Sequence, residues 1–234
     1  MDQTITRLAN LAGVAISPIE DKNLKELASL RNRLQHYGRL HDAKVNRYVI
    51  EANAAEVLEF LIHFVDTELL PRLDPPDGET AESLARIREG LDDIRGYVAA
   101  RMRRLRPHLD PVKSRTVQCL NCHQCALVVG DEEGGYCWYC HYRRGPDVAL
   151  AYSYEVLDRT EWSAVRGELD PVYWCPACGF EALVRRVLTA ADPKNPVDLC
   201  FHCGETFSGM EECVRCGGWF APTDGESACD GCRT

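Results

Sequence analysis

Apolar residues recur at helical spacing through the first hundred positions. Leu24, Leu27, Leu30, Leu34 and Tyr37 follow steps of 3, 3, 4 and 3, which predicts a helix with one buried stripe. Tyr48, Ala52, Ala55, Leu58, Ile62, Val65 and Leu69 repeat the pattern, and "PRLDPPDGE" at 71–79 then interrupts it with three prolines and a glycine. A third pattern runs through Leu84, Ile87, Leu91, Ile94, Val98 and Leu105, with Thr80 and Ser83 as N-cap candidates. Ile5, Leu8 and Leu11 predict a shorter opening helix. Four amphipathic helices with short connections predict an all-α antiparallel four-helix bundle over residues 1–108. The arginines of "RMRRLRPH" (101–108) read as charge complementing a helix C-terminus and as a solvated face.

Beyond residue 108 the pattern shortens to strand, glycine-rich turn and strand, as in "ALVVGDEEGGYCWYC" and, in miniature, "CGGWFAPTDGESACDGC". All 13 cysteines lie at or after Cys119. Twelve of them form six CxxC pairs: Cys119/Cys122, Cys137/Cys140, Cys175/Cys178, Cys200/Cys203, Cys213/Cys216 and Cys229/Cys232. Two CxxC turns present four thiolates to one tetrahedral ion, so the pairs, taken in order, predict three structural Zn(II) sites per chain. The halves of these sites are separated by 14, 21 and 12 residues. A redox role for CxxC lacks its thioredoxin-like strand–helix context.

The modules are similar to zinc ribbons, small β units built from a knuckle, a hairpin and a second knuckle. They divide the region into ribbons at 109–145, 173–208 and 209–234, with a connecting segment at 146–172. "CLNCHQCALV" (119–128) aligns without a gap on "CPACGFEALV" (175–184), which sets Cys125 opposite Glu181 and makes it the spare thiol. A Cys122/Cys125 pairing with Cys119 free stays open. His123, His141 and His202 sit in or beside the knuckles as alternative ligands, although four cysteines per site favour non-ligating histidines.

Charge separates the two regions further. Residues 1–112 carry 16 Lys+Arg against 18 Asp+Glu, whereas residues 113–234 carry 11 against 18. Each Zn(II) bound by four thiolates adds a net −2, which disfavours a nucleic-acid backbone on the cysteine-rich half. That half reads as a protein-contact or oligomerisation arm, with Trp138, Tyr139, Trp174 and Trp219 as candidate anchors or core covers. Arg-Arg pairs at 143–144 and 185–186 keep RNA contact open. The N-terminus has no basic start followed by a long apolar run, and no stretch approaches the roughly 20 apolar residues of a membrane span. The expectation is a soluble cytoplasmic protein, where paired cysteines hold metal rather than form disulfides.

One further motif lies in "LRNRLQHYG" (30–38). On a helical wheel Asn32 and His36 share the face opposite the leucine stripe, with Arg31 at its edge. With the Glu-, Leu- and Phe-rich stretch "EANAAEVLEFLIHFVDTEL" after it, the segment resembles the HEPN family of all-helical bundles, found in toxins, defence systems and several RNases. Arg31, Asn32 and His36 match the family's signature of an arginine, a polar residue and a following histidine. The resemblance implies a metal-independent endoribonuclease working as a homodimer, with two copies of the motif in one cleft. His36 would act as general base or acid, Arg31 would hold the phosphate, and Asn32 would orient either group. The tyrosine modified in some HEPN toxins stands two residues after the histidine. Gly38 holds that place here, so such regulation is not implied. The competing expectation is a non-catalytic dimeric adaptor whose ribbons recruit a protein or RNA partner.

Overall fold

A computed structural model of the chain describes residues 16–37, 47–72, 78–159, 171–220, 222 and 227–233, with Gln3, Thr6, Arg7, Asn10, Gly13 and Val14. The chain forms two compact units, residues 1–104 and 105–234. The opening helix expected at Ile5, Leu8 and Leu11 lies outside the described residues.

The N-terminal unit is helical. α1 (Pro18–Tyr37) starts with Pro at its first position, and a reciprocal cap closes its end. The Ser17 N–H donates to Glu20 Oε2 at 2.7 Å, while Ser17 Oγ accepts from the Glu20 N–H at 3.3 Å. α2 (Arg47–Phe64) packs against α1 and runs into a π turn at Val65–Leu69. α3 (Gly78–Asp92) and α4 (Arg95–Leu109) follow. The third apolar pattern therefore belongs to two helices, separated at Asp93–Ile94, rather than to one.

That break changes which residues are buried. Ile87 and Ile94 are exposed, and Tyr97, Ala100 and Arg101 face inward instead. A Cβ on Gly96 would lie 3.0 Å from the Ala55 Cβ, tighter than side chains ordinarily pack, so glycine eases the approach of α4 to α2. In α2, Ala55, Val57, Glu59 and Ile62 are buried, while Tyr48 and Leu69 are exposed.

After the last turn of α4 the C-terminal unit continues with a 3-10 turn at Asp110–Arg115 and a four-stranded antiparallel sheet in the order β1-β2-β3-β4. Its strands are Thr116–Gln118, Cys125–Asp131, Gly134–Cys137 and Arg143–Arg144. A second sheet repeats the plan as β5-β6-β7-β8: Tyr173–Trp174, Glu181–Val187, Val197–Cys200 and Thr206–Phe207. The registers correspond. Gln118 pairs with Cys125 as Trp174 pairs with Glu181, and Leu127 pairs with Cys137 as Leu183 pairs with Cys200. β9 (Glu211–Glu212) and β10 (Trp219–Phe220) make a two-stranded third module.

The first two modules share one core. α5 (Val148–Glu155), between them in sequence, buries Val148, Ala149, Ala151, Tyr152 and Ser153 and packs on β6. The Tyr152 ring lies 5.0 Å from that of Phe201. The Gly130 N–H donates to the Phe201 carbonyl at 2.9 Å, and a Cβ on Gly130 would fall 2.5 Å from the Gly204 Cα, so the backbones meet through glycine. The Ala190 N–H donates to the Thr116 carbonyl at 2.8 Å, tying the second module's loop to β1. The third module is held by Trp219, which meets the Tyr173 ring edge-on at 5.6 Å and takes the Arg185 guanidinium over its face at 3.6 Å.

Candidate functional site

The six CxxC turns come together as three four-cysteine groups: Cys119/Cys122/Cys137/Cys140, Cys175/Cys178/Cys200/Cys203 and Cys213/Cys216/Cys229/Cys232. Five of the six turns are built alike. In each, the N–H of the fourth residue after the first cysteine donates to that cysteine's carbonyl, and the cysteine N–H donates to the carbonyl of the fifth residue. The fourth residue needs a left-handed backbone, which bends the chain back over the sulfurs. Gly179, Gly204 and Gly217 supply it with φ between 70° and 75°. His123 and His141 adopt it at φ 59° and 63°. These histidines therefore occupy the turn position that glycine fills elsewhere, and neither belongs to a four-cysteine group. The Cys229/Cys232 turn differs and closes as a 3-10 turn, with the Cys232 N–H on the Cys229 carbonyl.

The geometry fits zinc. A tetrahedral ion with Zn–S bonds near 2.3 Å separates its sulfurs by about 3.8 Å. The Sγ–Sγ distances are 3.8 and 3.8 Å in the first group, 3.9 and 3.7 Å in the second and 3.7 Å in the third. A disulfide needs about 2.0 Å, and all 13 cysteines are free thiols. Backbone N–H groups already point at the sulfurs: Asn121 at Cys119 (3.4 Å) and Cys229 at Cys213 (3.3 Å). The latter bond is the main reason that the Cys213 thiol falls to about 6. In the first group, hydrogen bonds among the thiols hold Cys119 and Cys140 below the ordinary thiol range and Cys122 and Cys137 above it. Four thiolates per ion leave no open coordination position, so these are three structural zinc sites per chain rather than catalytic ones.

Cys125 stands outside the groups, as its alignment with Glu181 predicts, and the Cys122/Cys125 pairing is not formed. Its Sγ lies 3.8 Å from the Thr116 carbonyl, and burial pushes the thiol up. Tyr139 is buried in the core. Trp138 stacks on His108 at 4.9 Å and meets Tyr136 edge-on at 5.6 Å, so it and Trp219 serve contacts within the unit. Trp174 remains 67% exposed.

In the helical unit Arg31 and Asn32 are exposed on α1, and Arg31 Nη2 donates to Asn32 Oδ1 at 3.0 Å. α1 continues through position 36, but the side chains of His36, Leu34 and Tyr37 lie outside the described residues.

Of the arginines read from sequence as a solvated face, Arg101 is buried and Arg104 half-buried, while Arg103 and Arg106 stay exposed. Arg101 is buried and reaches Asp66 Oδ2 at 3.2 Å, while Arg88 reaches Asp66 Oδ1 at 2.5 Å. Arg104 bridges Glu59 Oε2 at 2.6 Å and Glu20 Oε1 at 2.8 Å, and Arg103 pairs with Glu56 at 2.6 Å. Burial raises Glu59 more than Arg104 lowers it, and its Oε1 has no hydrogen-bond partner among the described residues. Burial pushes Glu20 up as well, but its bonds to Ser17 and Arg104 bring it below the ordinary carboxylate range. Burial, then Arg104, holds His63 below its usual value, which keeps the imidazole neutral at neutral pH. The signal for this network was a glutamate, Glu59, four residues after Ala55 on the buried face of a helix.

Compared with models of known protein families, with curated proteins and with solved structures, the chain matches none. Among the described residues, no helix is long and apolar enough to cross a membrane.

Proposed function

We propose that the protein is a metal-independent endoribonuclease of HEPN type, in a cytoplasmic toxin or defence setting. Its N-terminal helices form an antiparallel four-helix bundle that dimerises and brings two Arg31–Asn32–His36 sets into one cleft. The three zinc ribbons, at 109–145, 173–208 and 209–234, serve as its partner-binding arm. The observation that carries this reading is the exposed, mutually hydrogen-bonded Arg31–Asn32 pair on a helix that continues to position 36. A forked guanidinium held by the neighbouring amide is oriented before a phosphate arrives, which lowers the cost of ordering it in the transition state. His36 takes the proton of a ribose 2′-hydroxyl or protonates the leaving oxygen.

The test is cleavage of mixed RNA by the zinc-loaded protein in the presence of a weak chelator. His36→Ala and Arg31→Ala, each checked for an unchanged helical circular dichroism signal, are expected to lose about 100-fold or more in rate. Cleavage that survives both substitutions would falsify the assignment. A lack of cleavage by the wild type would leave the second reading, a dimeric adaptor, which the exposed aromatic surface of the C-terminal unit favours.

A further inference from the structure

The second module differs from the first where the fold does not require it to. The repeat sets Gln118, Gln124 and Cys125 of the first module opposite Trp174, Phe180 and Glu181 of the second. The strand register agrees, since Gln118 faces Cys125 as Trp174 faces Glu181. A knuckle and hairpin of this kind are therefore built equally well with glutamines at the two positions that carry aromatics in the second module. Those aromatics are not consumed by the core. Trp174 is 67% and Phe180 54% exposed, and Phe180 lies against His202 with ring centroids 3.8 Å apart. Trp174 makes no ring contact among the described residues, in contrast to Trp138 and Trp219.

Trp174 and Glu181 stand where two grooves meet. One groove, of about 710 Å³, runs between the β2–β3 turn and Phe180. The other, of about 700 Å³, runs between α5 and the third module and includes Leu150, itself 42% exposed. Among the described residues, no lysine or arginine lines either groove. Asp131, Glu132, Asp147 and Glu181 do, and among the described residues neither Glu132 nor Glu181 has an ion-pair partner. Exposed aromatic faces beside unpaired carboxylates bind a cation with an apolar stem, because the ring quadrupole and the carboxylate attract it together. The same field repels phosphate, which rules against a nucleic-acid strand on this face. Grooves lined by aromatic side chains suit extended chains that leave alternate side chains free to enter them.

We infer that Trp174, Phe180 and Glu181 form the centre of a docking surface for a basic, extended peptide segment of a partner protein. Arginine side chains lie on Trp174 and Phe180 and pair with Glu181 and Glu132, and apolar residues of the segment reach Leu150. The inference is independent of the RNase reading, because it uses no residue of the helical unit.

The test uses the full-length, zinc-loaded protein and a fluorescent peptide of about twelve residues repeating Arg-Pro-Leu. Its Glu-Pro-Leu counterpart and an oligouridylate are the controls. The basic peptide is expected to bind with Kd on the order of 10 μM at low salt and more weakly as salt rises. Trp174→Gln with Phe180→Gln installs the first module's residues. This variant should keep three zinc per chain and lose at least about tenfold in affinity, as should Glu132→Lys with Glu181→Lys. Equal binding by either variant, preference for the acidic peptide or the oligouridylate, or no binding at about 1 mM overturns the proposal.

Discussion

The two units stabilise short chains by opposite chemistries. In the helical unit permanent charges are drawn inside: Arg88 and Arg101 clamp Asp66, and Arg104 clamps Glu59 and Glu20. In the cysteine-rich unit a buried apolar core that includes Leu127, Val129, Tyr152, Leu183 and Leu199 is joined by thiolate groups at the knuckles, which close each module. Paired charges fix which helix faces meet, but each buried ion costs solvation and is useful only while its partner is present. A structural metal site contributes folding free energy outright and restricts only the knuckle, so the outer face of a module can vary without loss of the fold. The glutamines of the first module and the aromatics of the second illustrate that freedom.

The largest test of this contrast is metal removal. All four tryptophans lie after Cys119, so their fluorescence reports on the cysteine-rich region alone. A strong chelator is expected to abolish the native tryptophan signal, since zinc contributes on the order of 10 kcal/mol per structural site. The helical unit contains no cysteine, so most of the ellipticity at 222 nm should persist. Collapse of both signals together would erase the distinction, and elemental analysis should give about three zinc per chain beforehand.

Next in size is Asp66→Ala. It removes the carboxylate that pairs with Arg88 and the buried Arg101, and about 3–5 kcal/mol of helical stability should be lost in urea unfolding followed at 222 nm. A loss below about 1 kcal/mol would show that the clamp sits in water rather than in the core.

Smaller effects are expected at the knuckles. His123→Gly relieves a left-handed backbone and should stabilise the zinc-loaded protein by about 0.5–1 kcal/mol without changing zinc content. His141→Gly should gain less, because it also removes the 2.7 Å bond between Nδ1 and the Tyr136 hydroxyl. Loss of a zinc in either variant would make that histidine a ligand.

The finest test concerns pH. The carboxyl of Glu59 is raised by burial, so its contribution is fully present below the ordinary glutamate pKa and is lost as pH rises through the raised value. Glu20 is lowered, and its contribution is present above the ordinary value and lost as pH falls through the lowered one. Glu59→Gln should therefore gain on the wild type between pH 4 and pH 7, and Glu20→Gln should lose. Parallel stability curves for all three proteins would mean that neither carboxyl is coupled to folding.

Linear spacing determined the cysteine chemistry. A CxxC turn is a local object, and six of them in order leave little freedom, so the twelve ligands and the spare Cys125 were legible before any fold was known. Leu30, Ala55, Ile62 and Leu91 were legible as core for a similar reason, since helical period alone brings them to one face. The reciprocal Ser17–Glu20 cap was equally local, as serine and glutamate three apart before a helix, but it was not among the elements predicted from the pattern.

Tertiary structure decided the rest, because those outcomes depend on residues distant in sequence. Whether Arg101 and Arg104 face solvent depends on where Asp66, Glu59 and Glu20 are brought, and those lie on other elements. The third apolar pattern is split at Asp93–Ile94, and Gly96, just past the split, comes close to Ala55 on another helix. Of the three tryptophans considered as anchors, packing spent Trp138 and Trp219 and left Trp174 outside, because an edge strand sends alternate residues to opposite faces. Composition counts the aromatics, but only the assembled sheets decide which one meets water.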